Sequence, residues 1–147
     1  MADNMTEAQR RRTMSHIRSK NTKPEMMVRR YLFRHGFRYR LHVGTLPGCP
    51  DVVLSKHRLV IFVHGCFWHH HPGCRYAREP HSNQAYWLPK LKATEDRDTI
   101  HIRVLRNLGW RVIVVWECEL KQDPETCCRR LLDEVVNGYE PFVNCRN

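Results

Sequence analysis

The residues best equipped for chemistry sit in one short run, His64-Gly-Cys-Phe-Trp-His-His-His-Pro-Gly-Cys74. Thiolate and imidazole are the usual ligands of zinc, and a structural zinc ion takes four of them. Cys66, Cys74 and one of the histidines at 69–71 supply three, in a C-x4-H-x2-C spacing when the histidine is His71. The fourth must come from elsewhere, and Cys118 follows the apolar run 111–116, whose end can lie beside this loop. The expected set is Cys66, His71, Cys74 and Cys118, closing a loop that has no apolar core of its own. Phe67 and Trp68, caught between ligands, are expected to be exposed rings suited to stacking on bases or wedging into a duplex.

A second group surrounds Asp51. Pro50-Asp51 opens one apolar strand and His64 ends the next, so the two strand ends can meet. A carboxylate there can hold a hard divalent cation. Phosphodiester hydrolysis needs charge on the phosphate, an activated water and help for the leaving oxygen, and His64 and His69 can move protons near neutral pH.

These groups need a scaffold, and the sequence outlines one. Thr6-x-x-Gln9 and Thr22-x-x-Glu25 are capping-box patterns, each opening a helix, with Glu25 read locally as a cap. Met27, Val28, Tyr31 and Leu32 give the second helix an apolar stripe, and Gly36 suits its stop. In 37–43, Phe37, Tyr39, Leu41 and Val43 alternate with Arg38, Arg40 and His42, which predicts a half-buried strand with His42 outward. Strands follow at 51–54 and 59–63, then the Cys/His loop 64–81. A long helix runs from about Asn83 to Asn107 with Trp87, Leu88, Leu91, Ile102 and Leu105 inward. A buried strand at 111–116 and a last helix from Asp123-Pro124 complete the order α-α-β-β-β-α-β-α, a mixed sheet with helices on its faces.

The charge is unevenly spread. The chain of 147 residues carries +10, of which +8 falls in residues 1–40. A basic arm, here residues 1–20, on a near-neutral single domain, 21–147, suits a polyanion, and on charge alone DNA, RNA and an anionic membrane all qualify; Arg12, Arg18 and Lys20 are candidate contacts on the arm and Lys90 on the long helix. Seven cysteines, an odd count, argue against a disulfide framework. The N-terminus lacks the apolar segment of a secretory signal and no apolar run could span a bilayer, so a cytoplasmic protein with no membrane partner is the expectation.

Pro50-Asp51, then V-H-G-C-F-W-H-H-H, resembles the very-short-patch-repair (Vsr) DNA mismatch endonucleases, as do M-S-x-I-R-S-K-x-T-K-P-E near the start, Y-W-L-x-K-L before Arg97-Asp98, and G-W-R-V-I-V-V-W-E-C-E-L. The resemblance spans about residues 9 to 135. It implies an α/β restriction-endonuclease-like fold of the PD-(D/E)xK type, with a structural zinc site, and a magnesium-dependent enzyme that nicks duplex DNA 5′ of the thymine in a T:G mispair. It implies a monomer whose nick is completed by other repair proteins. Carried over by position, Asp51 is the magnesium ligand, joined by the backbone carbonyl of Val63, where well-known members have threonine. His69 activates water, Asp98 orients His69, His64 is a second active-site histidine, and Glu25 reaches the water shell of the metal. Cys66, His71, Cys74 and Cys118 hold zinc. Phe67, Trp68 and Trp87 form an aromatic wedge, with Met14 inserted from the opposite groove. Thr94 stands where asparagine is common. Two rival readings remain from the residues: a restriction-type nuclease on matched DNA, and a non-catalytic zinc module that binds DNA.

Overall fold

The computed structural model describes residues 21–78 and 81–137. The first predicted helix, the arm residues Arg12, Met14, Arg18 and Lys20, and Cys145 lie outside them. Among the described residues the elements are α1 (Lys23–Arg34), β1 (Arg40–Leu41), β2 (Val52–Leu54), β3 (Leu59–His64), α2 (Gln84–Asn107), β4 (Arg111–Trp116), α3 (Glu117–Gln122) and α4 (Pro124–Asn137). The sheet order is β1-β2-β3-β4, with β1–β2–β3 antiparallel and β3–β4 parallel. This is the mixed sheet expected of a hairpin followed by a helical crossover.

Side chains alternate across a strand, and the two faces are filled by different helices. On one face Val52, Leu54, Leu59, Ile61 and Val115 pack with Val28 and Leu32 of α1, Leu120 of α3 and Cys127, Cys128, Leu131 and Val135 of α4. On the other, Val53, Val60, Phe62, Val112 and Val114 pack with Ile102 and Leu105 of α2. β3 therefore sends Val63 toward α1 and His64 toward α2, and the strand end that carries chemistry is flanked on both sides. Leu105 is fully buried and pins α2 to the sheet. Leu105→Ala is expected to lower the unfolding free energy by about 2–5 kcal/mol, measured by urea denaturation.

Two expectations are corrected. The strand predicted over 37–43 shrinks to a two-residue ladder, because His42 adopts a left-handed backbone, φ 47°. That kink breaks the alternation: Phe37, Tyr39 and Leu41 pack on the α1 side and Val43 on the α2 side. His42 consequently turns inward instead of facing solvent. The second correction is α3, a one-and-a-half-turn helix that follows β4 without a break and was not foreseen. The long helix runs through Pro89 without ending there. No described helix is long and apolar enough to cross a membrane.

Candidate active site and metal centre

Thr22 caps α1, its hydroxyl oxygen accepting the Glu25 N–H at 3.4 Å. The Glu25 carboxylate does more than cap. It is 1% exposed, accepts from the Asn21 N–H at 3.1 Å and from Arg29 Nη1 at 3.2 Å, and faces His42 across the sheet edge. His42, not picked out from the sequence, lies between Glu25 and Asp51, whose carboxylate opens β2. Its only sequence signal was the alternation that placed it outward.

Asp51 is held from the neighbouring strand: Oδ2 accepts the Val63 N–H at 2.8 Å. Burial pushes its carboxyl up to about 6, partly opposed by that bond and helped by the nearby Glu25 charge. A half-buried carboxylate raised in this way gains most from a cation beside it, so the donor set fits a divalent ion.

His64, on the α2 side of β3, stacks on His69 with ring centroids 3.8 Å apart and planes 5° from parallel. His69 Nδ1 lies 2.6 Å from Asp98 Oδ2. Asp98 belongs to the inward stripe of α2, seven residues after Leu91 and seven before Leu105, a spacing that keeps it on the packed face. An ionised carboxylate only accepts, so the proton sits on His69 Nδ1 and Nε2 is left as a base. Burial lowers His64 to about 4, only partly opposed by the nearby Asp98 carboxylate, so its ring is neutral at neutral pH.

The three consecutive histidines diverge. His69 goes to Asp98, His70 Nδ1 approaches Glu95 Oε2 at 2.9 Å, and His71 turns to the thiols. His71 Nδ1 is 3.5 Å from Cys118 Sγ, and the Cys118 N–H points at Cys66 Sγ at 3.4 Å. One ligand atom each from Cys66, His71, Cys74 and Cys118 falls within 4.8 Å of the others, a separation suited to tetrahedral zinc. The His71 ring stacks on Trp116 at 4.0 Å. Burial pushes the Cys66 thiol up to about 12 and raises Cys118 as well, whereas at Cys74 the burial effect is outweighed by hydrogen bonds from the Tyr76 and Ala77 backbone and the two neighbouring thiols, which lower it. α3 matters in this respect, since its first turn carries Cys118 back under the loop. All six described cysteines are free of disulfides.

Phe67, Trp68 and Trp87 form one cluster with centroids 5.2–5.7 Å apart. Trp87 is 3% exposed, inward as expected, whereas Phe67 and Trp68, expected to be exposed, are half-buried because the three rings cover one another. Lys90, one turn on, stays at the surface with its ammonium 5.1 Å from the Tyr86 ring.

The family model described as "DNA mismatch endonuclease Vsr" matches residues 2–75. The chain belongs to the Vsr endonuclease family. Its relatives include a type II nicking enzyme of Xanthomonas oryzae pv. oryzae, 51% identical over 82% of this chain and 88% of that one. Another, from Neisseria meningitidis, is 45% identical over 97% of this chain and the whole of its own length. The DNA mismatch endonuclease Vsr of Escherichia coli is 40% identical over 82% of this chain and 77% of its own. As a Vsr-family protein the chain is a DNA endonuclease, and the α/β architecture with its small mixed sheet agrees with that family.

Proposed function

We propose that this endonuclease is magnesium-dependent and nicks duplex DNA 5′ of the thymine in a T:G mispair, on a restriction-endonuclease-like fold braced by zinc. The observation that carries this reading is the pair of constellations at adjoining strand ends: the half-buried Asp51 carboxylate held by the Val63 N–H, and, one residue further along β3, the His64–His69–Asp98 group. Magnesium held by Asp51 and the Val63 carbonyl, when bound, supplies positive charge to the scissile phosphate and its leaving oxygen. Asp98 fixes the His69 ring and its tautomer. His69 Nε2 takes the proton of the attacking water. His64, neutral and stacked on His69, keeps that ring in plane. Glu25 holds water on the far side of Asp51. Cys66, His71, Cys74 and Cys118 bind zinc and fix the segment that presents His69.

For recognition, the ring cluster Phe67, Trp68 and Trp87 separates from its own packing and enters the duplex beside the mispair. The basic arm, with Arg12, Met14, Arg18 and Lys20, grips the DNA from the other side, and Lys90 contacts the backbone. The protein acts as a monomer in the cytoplasm, and other repair proteins complete the patch.

The deciding test uses one end-labelled T:G duplex and its T:A control, each with and without magnesium. A nick 5′ of the thymine, confined to the mispair and dependent on magnesium, is the expected result. Cleavage of the matched duplex on both strands would make the enzyme restriction-like. Binding with no cleavage in any arm would leave only a DNA-binding zinc module.

The site also sets a pH dependence. A proton on Asp51 competes with the cation, so magnesium affinity should fall about tenfold per pH unit below 6. The acid limb of nicking measured at low magnesium should therefore lie near pH 6 and move down as magnesium is raised. Stability reports this poorly. Between pH 4 and 6 the folded protein holds a proton on Asp51 that the unfolded chain has released, so this group makes stability fall as pH rises. His64 is unprotonated when folded but protonated when unfolded from about 4 to 6.5, which makes stability rise with pH and offsets the first effect.

A further inference from the structure

Trp116, the last residue of β4, takes no part in the proposed mechanism, yet it touches both the zinc cluster and the active-site histidines. His64 and Trp116 are register partners across β3 and β4, so their side chains leave the same face of the sheet. Their rings meet edge to face, with centroids 5.2 Å apart and planes at 74°. The Trp116 ring also stacks on His71, 4.0 Å away and 8° from parallel. His64 in turn stacks on His69, whose Nδ1 is anchored by Asp98. Four rings therefore run in continuous contact from a candidate zinc ligand to the proposed base.

His64 depends on such contacts. Its Nδ1 is buried, and no hydrogen bond reaches that atom among the described residues, so no polar partner fixes the ring there. Ring packing must orient it, from His69, from Trp116 and from Phe62 two residues back on its own strand. Trp116 is itself braced from a different layer. Its backbone N–H donates to Glu119 Oε1 at 3.2 Å, and Glu119 Oε2 accepts from Arg130 of α4 at 2.8 Å. That carboxylate locks the point where β4 turns into α3. The indole is thus held at its backbone by α3 and α4, and at its ring by His71.

We infer that Trp116 is a positioning residue for strand nicking: acting through His64, it sets the plane of the His69 ring, and it ties that plane to the zinc cluster by ring contact. This rests on the reading of His69 as the base. The link is separate from the peptide that joins His71 to His69, so it can be cut while all four candidate zinc ligands stay in place. Leucine at 116 fills part of the space and presents no flat face to either imidazole, whereas phenylalanine keeps one.

The test uses the zinc-loaded, full-length protein. Trp116→Leu should slow single-turnover nicking of a T:G duplex about 10²-fold, the cost of a misplacement near 1 Å, with gel-shift affinity and zinc content at wild-type values. Trp116→Phe should recover most of the rate. A second readout, nitrogen-15 NMR of the histidine rings without DNA, follows His69, which meets His64 and not Trp116. Its ring signals should move in Trp116→Leu and return in Trp116→Phe. Should Trp116→Leu lose zinc, Glu119→Ala, which frees the Trp116 N–H and keeps every ring, should show the slower cutting and the moved signals at full zinc content. Unmoved His69 signals overturn the inference, as does full-rate nicking by Trp116→Leu. Loss of zinc from both variants also overturns it, making Trp116 a support of the zinc cluster alone. Absence of nicking by wild type, with the His69 signals responding as expected, would defeat the base assignment and leave the ring contact standing.

Discussion

Asp51→Ala should reduce nicking of a T:G duplex below detection while leaving mispair binding near the wild-type level. In the proposed mechanism the side chain holds the cation and meets no base, so its loss removes charge from the reacting phosphate and little from recognition. His69→Ala should be milder, costing about 10²–10⁴-fold in single-turnover rate, the usual range for a general base. Asp98→Asn should fall in the same range. An amide can donate to His69 Nδ1 and stabilise the tautomer with its proton on Nε2, where the base is needed. The order of severity is itself informative. Gel-shift affinities measured beside the rates separate chemistry from binding, and normal cutting by a folded Asp51→Ala protein would refute the mechanism.

Loss of zinc should be nearly as severe through a different route. Apparent binding energies for structural zinc in small peptides reach about 10–16 kcal/mol, comparable with the whole stability of a domain. Cys118→Ser, or prolonged treatment with a strong chelator, should lower the melting temperature and abolish nicking together. His71 is two residues from His69, so release of one ring frees the other from its stack on His64. Metal content by plasma emission and a thermal melt give the readout. A protein that lost its zinc yet melted and cut normally would reduce the four ligands to packed thiols.

Much of the frame was legible from periodicity. The apolar runs at 59–63 and 111–116, and the stripe through Leu91, Ile102 and Leu105, have one reasonable reading each, and the sheet order follows from them. The failures share a cause. His42 was assigned outward because alternation presumes extended backbone, and one left-handed residue reverses it. α3 has a length below what periodicity can register. The ring cluster is covered by mutual packing that residue type does not reveal. In the site, cysteines and histidines announce themselves by rarity, whereas Glu25 looked like an ordinary cap and Asp98 like an ordinary charge. Only the partner each one meets gives it meaning, and those partners are 17 and 29 residues away.

β3 delivers successive residues to opposite faces of the sheet, so the reacting groups are drawn from both helical layers at once. A chain with only one layer docked holds half the apparatus. The phosphodiester-cutting groups would thus come together only once both layers have docked on the sheet.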